Sequence, residues 1–162
     1  MKLTLILGNQ LFSDWTGASK LKLGPQDEVI MIEDLGIAKA YRYHRLRLLH
    51  TFVAMREFRD HLLSKNIKVH YFEMAESKNL RFEDRIMKVL GSRKEFRVAD
   101  VVDRHFKKNL NRYFDAKKVK IEYLPTPQFL GGEQNFSDYL KKRLANGYKF
   151  NIWVKQRIIR HL

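Results

Sequence analysis

The chain has 162 residues, 44% of them hydrophobic, and 32 Lys and Arg against 18 Asp and Glu leave a formal charge of +14. That length suits one domain with a proper core, and no apolar run approaches the ~20 residues of a membrane span. The absence of cysteine excludes disulfides, thiolate zinc sites and cysteine-ligated iron–sulfur clusters within these residues.

The positive excess favours a polyanion such as DNA, RNA or an acidic surface. The charges form scattered groups: Arg42 to Arg47, Lys107-Lys108, Lys117-Lys118, Lys141 to Arg143 and Lys155 to Arg160. One Lys and a short apolar run at the N-terminus, with no small-residue cleavage site after them, do not read as a signal peptide. The composition fits a cytoplasmic protein.

Leu3 to Leu7 is a short apolar run that stops at Gly8-Asn9-Gln10, and it reads as a buried first strand. Ser13 to Asp27 is irregular. Glu28 to Glu33 is a second strand ending on the acids Glu33 and Asp34. The longest helical pattern follows, over about Ala38 to Asn66: Tyr41, His44, Leu48, Phe52, Met55 and Leu62 recur at threes and fours. Asn66 is placed to cap it.

Ile67 to Phe72 is a third strand and Leu80 to Leu90 a helix closed by Gly91. Glu95 to Ala99 is a fourth strand ending at Asp100, and Asp103 to Phe114 is helical. Val119 to Leu124 is a fifth strand. Ser137 to Asn146 and Ile152 to Leu162 read as two more helices, with Gly147 between them. The last has nothing after it to pack on, which suggests a piece of something longer or a dimer surface.

Strands alternating with helices imply right-handed crossovers and a mostly parallel sheet. The expected fold is α/β, a Rossmann-like or flavodoxin-like layered domain over 1–162, with five strands flanked by helices. The sequence lacks a GxGxxG fingerprint, a P-loop and a GxSxG elbow, and its six histidines have no ligand-like spacing. No metal site or catalytic residue is expected.

In an open parallel sheet, ligands bind beyond the carboxyl ends of the strands. In the common strand order 2-1-3 the first strand is central, and Gly8-Asn9-Gln10 then lies between Glu33-Asp34 on one side and Asp100-Asp103 on the other. Amides in the middle and carboxylates at the sides suit a neutral polyhydroxylated ligand, whose hydroxyls donate to them. They do not suit a phosphate. Equally, the acids can cap the helices that follow, Asp103 especially. Gly8, Asn9, Gln10 and Leu11 are the candidate backbone and amide contacts. Glu33 and Asp34 would take hydroxyls, Asp100 would form the far wall, and Tyr41 and His44 would touch a ring. Arg42, Arg45 and Arg47 are candidates for nucleic acid, should the domain act as a stand-alone basic binding module.

Several of these residues also carry a resemblance. Leu3-Thr4-Leu5-Ile6-Leu7-Gly8-Asn9-Gln10-Leu11, Glu33, His44, Ala54-Met55-Arg56-Glu57-Phe58 and Phe129-Leu130 resemble the N-terminal domain of deoxyribodipyrimidine photolyase-related proteins. These include the iron–sulfur bacterial cryptochromes and (6-4) photolyases. The resemblance implies an antenna domain that holds 6,7-dimethyl-8-ribityllumazine or a related chromophore. It also implies a helical C-terminal partner domain with FAD and an iron–sulfur cluster, which repairs DNA by light-driven electron transfer. On that reading the FAD-binding domain is absent here, and these residues alone are not catalytic. The sequence departs from the family pattern at Leu35-Gly36-Ile37-Ala38, where an acid is expected, and its basic run after His44 is Arg45-Leu46-Arg47.

Overall fold

The computed structural model describes residues 2–16, 21–24, 26–34, 36, 39, 43–75, 80–128 and 133–143. The chain divides into two compact units, Met1–Leu124 and Pro125–Leu162. The first holds five strands: β1 (Leu3–Leu5), β2 (Glu28–Ile32), β3 (Lys68–Phe72), β4 (Glu95–Ala99) and β5 (Lys120–Leu124). Every pairing is parallel and the order is β3-β2-β1-β4-β5. The α-helices of this unit whose bounds lie among the described residues are α1 (Arg45–Ser64), α2 (Phe82–Leu90) and α3 (Arg104–Ala116). This is the expected Rossmann-like α/β layer fold, with one correction to the expected strand order 2-1-3: β3 pairs with β2, and β4 takes the place beside β1. The chain winds outward from β1 through β2 to β3, then crosses back to β4 and out to β5.

Strand periodicity divides the core. Leu3, Leu5, Ile30, Ile32, Phe96 and Val98 meet Phe82, Ile86 and Leu90 of α2 and Leu110 and Phe114 of α3 on one face. Successive side chains point to opposite faces of a sheet. Accordingly Ile6, Val29 and Met31 meet Met55 and Leu62 of α1 on the other face, together with Trp15, Leu21 and Leu23. Phe96 and Phe114 pack edge to face, with ring centroids 4.8 Å apart.

The helix ends follow local chemistry. α1 starts at Arg45, later than its periodicity suggests, because the Nδ1 of His44 accepts from the Leu46 N–H and caps the helix. Asn66 takes the left-handed conformation just past it, with φ at 59°. There the Asn66 N–H donates to Leu63 O and the Ile67 N–H to Leu62 O. That pairing satisfies two of the carbonyls a helix end leaves open. Asp103 caps α3 by accepting from the His105 and Phe106 N–H groups at 2.9 and 3.0 Å. In the second unit, α4 (Glu133–Arg143) starts four residues before the expected Ser137 and has Phe136, Tyr139 and Leu140 half-buried. Gly147 and the expected helix over 152–162 lie outside the described residues.

At the amino edge of the sheet, Glu28 is 6% exposed. It accepts from Lys68 Nζ at 2.7 Å and Arg93 Nη1 at 3.0 Å, and lies 3.2 Å from His70 Nε2. The Lys68 bond, with help from Arg93 and His70 and against the opposing effect of burial, holds the carboxyl down at about 2. A carboxyl whose folded value is depressed contributes stability above its unfolded value, near 4.3, and loses it as the pH falls toward the folded one. Solvent around the exposed Lys68 limits the contribution to about 1–2 kcal/mol. The penalty of Glu28→Gln, measured by urea unfolding, should therefore be full at about pH 6 and largely gone at about pH 2. A penalty that does not change between those values would remove Glu28 as a source of acid sensitivity.

Candidate functional site

The winding direction reverses between β1 and β4, and in open α/β sheets that reversal opens the ligand crevice at the carboxyl ends of the strands. Gln10 lies across it, 1% exposed. Its side-chain Nε2 donates to Ala99 O at 2.9 Å and Asp100 O at 3.3 Å, tying the end of β1 to the end of β4. Its backbone N–H donates to Leu7 O at 2.8 Å, and its own carbonyl accepts from the Phe12 N–H at 3.0 Å. The same carbonyl accepts from the indole N–H of the wholly buried Trp15 at 2.8 Å. The 3-10 turn Ser13–Trp15 brings that indole back beneath the loop. Every polar group of Gln10 is thus engaged except Oε1, which is buried and accepts nothing among the described residues. A buried acceptor without a donor is costly, so its presence calls for an explanation.

Asp100 borders the same crevice. Its N–H donates to Leu124 O at 2.8 Å, and its Oδ1 accepts from Lys107 Nζ at 2.6 Å. That ammonium also lies 4.5 Å from the centre of the Tyr123 ring. Burial, with Asp100 and Asp115 nearby, pushes the Tyr123 hydroxyl up to about 12, so it stays a neutral donor, here to Asn111 at 2.7 Å.

The sequence puts Glu33 and Asp34 together as hydroxyl acceptors. The pleat separates them, because consecutive residues leaving β2 face opposite sides of the sheet. Glu33 turns toward α1. It accepts from Arg56 Nε at 2.7 Å and Nη2 at 3.0 Å, from the Tyr71 hydroxyl at 2.6 Å and from the Met74 N–H at 2.9 Å. Four donors fill the four lone-pair positions of a carboxylate, so none is left for a ligand hydroxyl. Burial raises the Glu33 carboxyl, but Arg56, Tyr71 and Met74 together outweigh it and hold the group below its ordinary value. Asp34 turns toward α2, where its Oδ2 accepts from Nη1 of the buried Arg85 at 3.1 Å. Each acid receives an arginine from the helix on its own face.

Gly8 approaches a helix rather than a small molecule. A Cβ there would lie 3.0 Å from both Met55 Sδ and Thr51 Cγ2, so its bare backbone lets α1 cross the end of β1. Asn9 is exposed in the turn, and Leu11 packs half-buried against the core cluster that includes Ile6, Trp15 and Met55. His44 is the α1 cap already described. Arg45 and Arg47 are exposed in the first turn of α1, with the Arg47 guanidinium 5.7 Å from the centre of the Tyr43 ring. Tyr41 and Arg42 lie outside the described residues, as does Ile37.

Four residues that organise this edge are not singled out by spacing or periodicity: Trp15, Arg56, Tyr71 and Arg85. Two acids closing a buried strand were a usable signal, since buried carboxylates require cationic partners. Arg56 stands within the Met55-Arg56-Glu57-Phe58 block, and its distance from the apolar stripe of α1 hid its role.

Compared with known families, residues 4–150 match the model of the deoxyribodipyrimidine photo-lyase-related protein family. The chain belongs to this family. No curated protein matches it. The photo-lyase-related match begins at the second residue of β1 and runs past α4, so it takes in the switch-point crevice with Gln10 and Asp100 and the Glu33–Arg56 pair.

Proposed function

We propose that this photo-lyase-related chain is an antenna domain whose switch-point crevice holds a ribityllumazine-type chromophore. The supporting observation is the buried, partnerless Oε1 of Gln10 at the end of β1. Ribityl hydroxyls are donors, and this oxygen together with Oδ2 of Asp100 would supply acceptors at the edges of the crevice. Glu33 would act indirectly, by fixing Arg56 and the end of β3. A lumazine held there would absorb near-ultraviolet and blue light and pass the excitation to a flavin. The crevice residues would bind and orient the chromophore and take no part in bond chemistry. The flavin and iron–sulfur cluster would belong to a helical FAD-binding partner domain of the family, in an iron–sulfur cryptochrome or a photolyase that acts on DNA.

The test is direct. The purified protein, stripped of any coloured ligand by denaturation and refolded, is titrated with 6,7-dimethyl-8-ribityllumazine while the quenching of its fluorescence is followed. One site per chain is expected, and Asp100→Ala should weaken it about tenfold, the effect of losing one charge-assisted hydrogen bond. If the protein releases no chromophore on denaturation and also ignores the added lumazine, the antenna reading fails.

A further inference from the structure

The outer face of α3 carries cations at a regular interval. Arg104, Lys108 and Arg112 stand four residues apart, all three exposed. None of them meets an acid among the described residues, whereas Lys107 on the neighbouring face is held by Asp100. Four residues of helix advance about 6 Å, so three like charges line up along one side over about 12 Å. Past the end of the helix come Lys117, whose ammonium lies 5.2 Å from the centre of the Tyr113 ring, then the exposed Lys118 and Lys120 at the start of β5. The Lys120 N–H donates to the carbonyl of Lys94 at 2.8 Å, which brings a fourth exposed lysine to the same corner. Glu95, Asp103, Asp115 and Glu122 are the acids within two residues of these seven cations, and Asp103 already caps α3 while Glu122 accepts from Lys2. Like charges spaced this way repel one another and add nothing to the helix.

We infer that this track is a docking face for the phosphate backbone of duplex DNA, lying on the domain itself and on the sheet face opposite α1. Two observations support that partner. A phosphodiester strand is a linear array of single negative charges, and the row of cations is likewise linear and evenly spaced. The face is not built for a lipid surface, because membrane-lying helices need a large apolar side. None of the exposed large apolar residues, Tyr43, Leu46, Leu49, Val53, Leu63, Leu80 and Val102, lies on the outer side of α3. The choice of DNA rests on the family reading above. The cations recognise no base, so binding is independent of sequence and falls steeply with salt.

The experiment uses the full chain and a fluorescent mixed-sequence DNA duplex of about 20 base pairs, with anisotropy followed from about 50 to 300 mM salt. Two triple variants each remove three positive charges. One is Arg104→Gln, Lys108→Gln and Arg112→Gln on α3. The other is Arg45→Gln, Arg47→Gln and Lys65→Gln on α1, the helix carrying the nucleic-acid candidates expected from sequence. The α3 variant should lose about 3 from the slope of log affinity against log salt and bind at least tenfold more weakly at about 100 mM salt. The α1 variant should stay close to wild type. Equal losses from the two would mean that only net charge matters and would overturn the inference. So would an unaffected α3 variant, or tighter binding to a duplex RNA of the same length. All six positions are exposed and have no acid partner among the described residues, so far-UV circular dichroism should match wild type. Both variants keep the crevice, and their lumazine titrations separate failure of this inference from failure of the antenna reading.

Discussion

Gln10→Glu should strongly destabilise the domain at neutral pH and spare it in weak acid. The substitution preserves size and changes one atom that matters. Nε2 of Gln10 donates to the carbonyls of Ala99 and Asp100, and a carboxylate oxygen in its place would face two acceptors with nothing to donate. It would also put a charge where the side chain is 1% exposed. Leaving a buried charge without a partner costs about 3–5 kcal/mol, a large share of the 5–15 kcal/mol that typically stabilises a domain. The sign of the pH dependence follows. The folded state disfavours the ionised form, so the new carboxyl titrates above its unfolded value of about 4.3, and the penalty is complete above the raised value. Below about 4.3 the neutral acid can donate to Ala99 O, and most of the penalty disappears. Urea unfolding of variant and wild type, compared at about pH 7 and about pH 4, checks this. An equal difference at both values would mean that the side chain does not face those carbonyls.

Glu33→Ala is the second substitution with a large effect, and its effect falls on the fold. It takes their shared acceptor from the hydroxyl of Tyr71 and the N–H of Met74, and leaves the half-exposed guanidinium of Arg56 with Glu73 at 3.8 Å. Tyr71 is held well above the usual tyrosine value, by burial first and by Glu33 second, so its hydroxyl remains a donor that must find another acceptor. Breaking such a network costs about 3 kcal/mol, which for a domain of this size lowers the melting temperature by about 6–12 °C. Adding Arg56→Ala should cost little more, because the two groups form one unit. Melting curves of the two single variants and the double variant, recorded by circular dichroism near pH 7, settle the point; a single variant melting within about 2 °C of wild type would sink it. Because the folded value of Glu33 is depressed, the difference should shrink as the pH falls through the carboxylate range. Weaker chromophore retention in Glu33→Ala would then report a loosened edge rather than a lost contact.

Much of this architecture was legible in the residues. Five apolar runs separated by helical patterns specify a parallel sheet, and the five strands fall on those runs. The central position of the first strand, and with it the placement of Gly8-Asn9-Gln10 between two acidic strand ends, was also legible, although the common order 2-1-3 puts the third strand where β4 stands. What periodicity does not supply is the partner of each polar side chain. Glu33 and Asp34 stand side by side in sequence, and only the pleat sends one to Arg56 and the other to Arg85. Gly8 reads as space for a ligand until α1 is laid across it and Met55 fills that space. His44 sits on the apolar rhythm of α1 but lies just before the helix, where its ring nitrogen serves a backbone N–H. Trp15 falls in an irregular stretch with no pattern to reveal that it reaches back to Gln10. The contacts of Glu33, Asp34 and Gly8 join residues far apart in sequence, and those of His44 and Trp15, though local, leave no periodic mark.

The place of β1 in the sheet bears on how the molecule comes together. It is three residues long, yet it stands between strands that begin 25 and 92 residues later. Neither neighbour can reach it without closing a long loop, which makes for slow assembly. A ribosome that has released only the first ninety residues presents β1 and β2 with an open apolar flank, because β4 has yet to be made. Until Phe96 and Val98 arrive, that flank is a template for the wrong strand, from the same chain or another. The synthesis of β4 is the moment at which the nascent chain gains its core and loses its most adhesive edge.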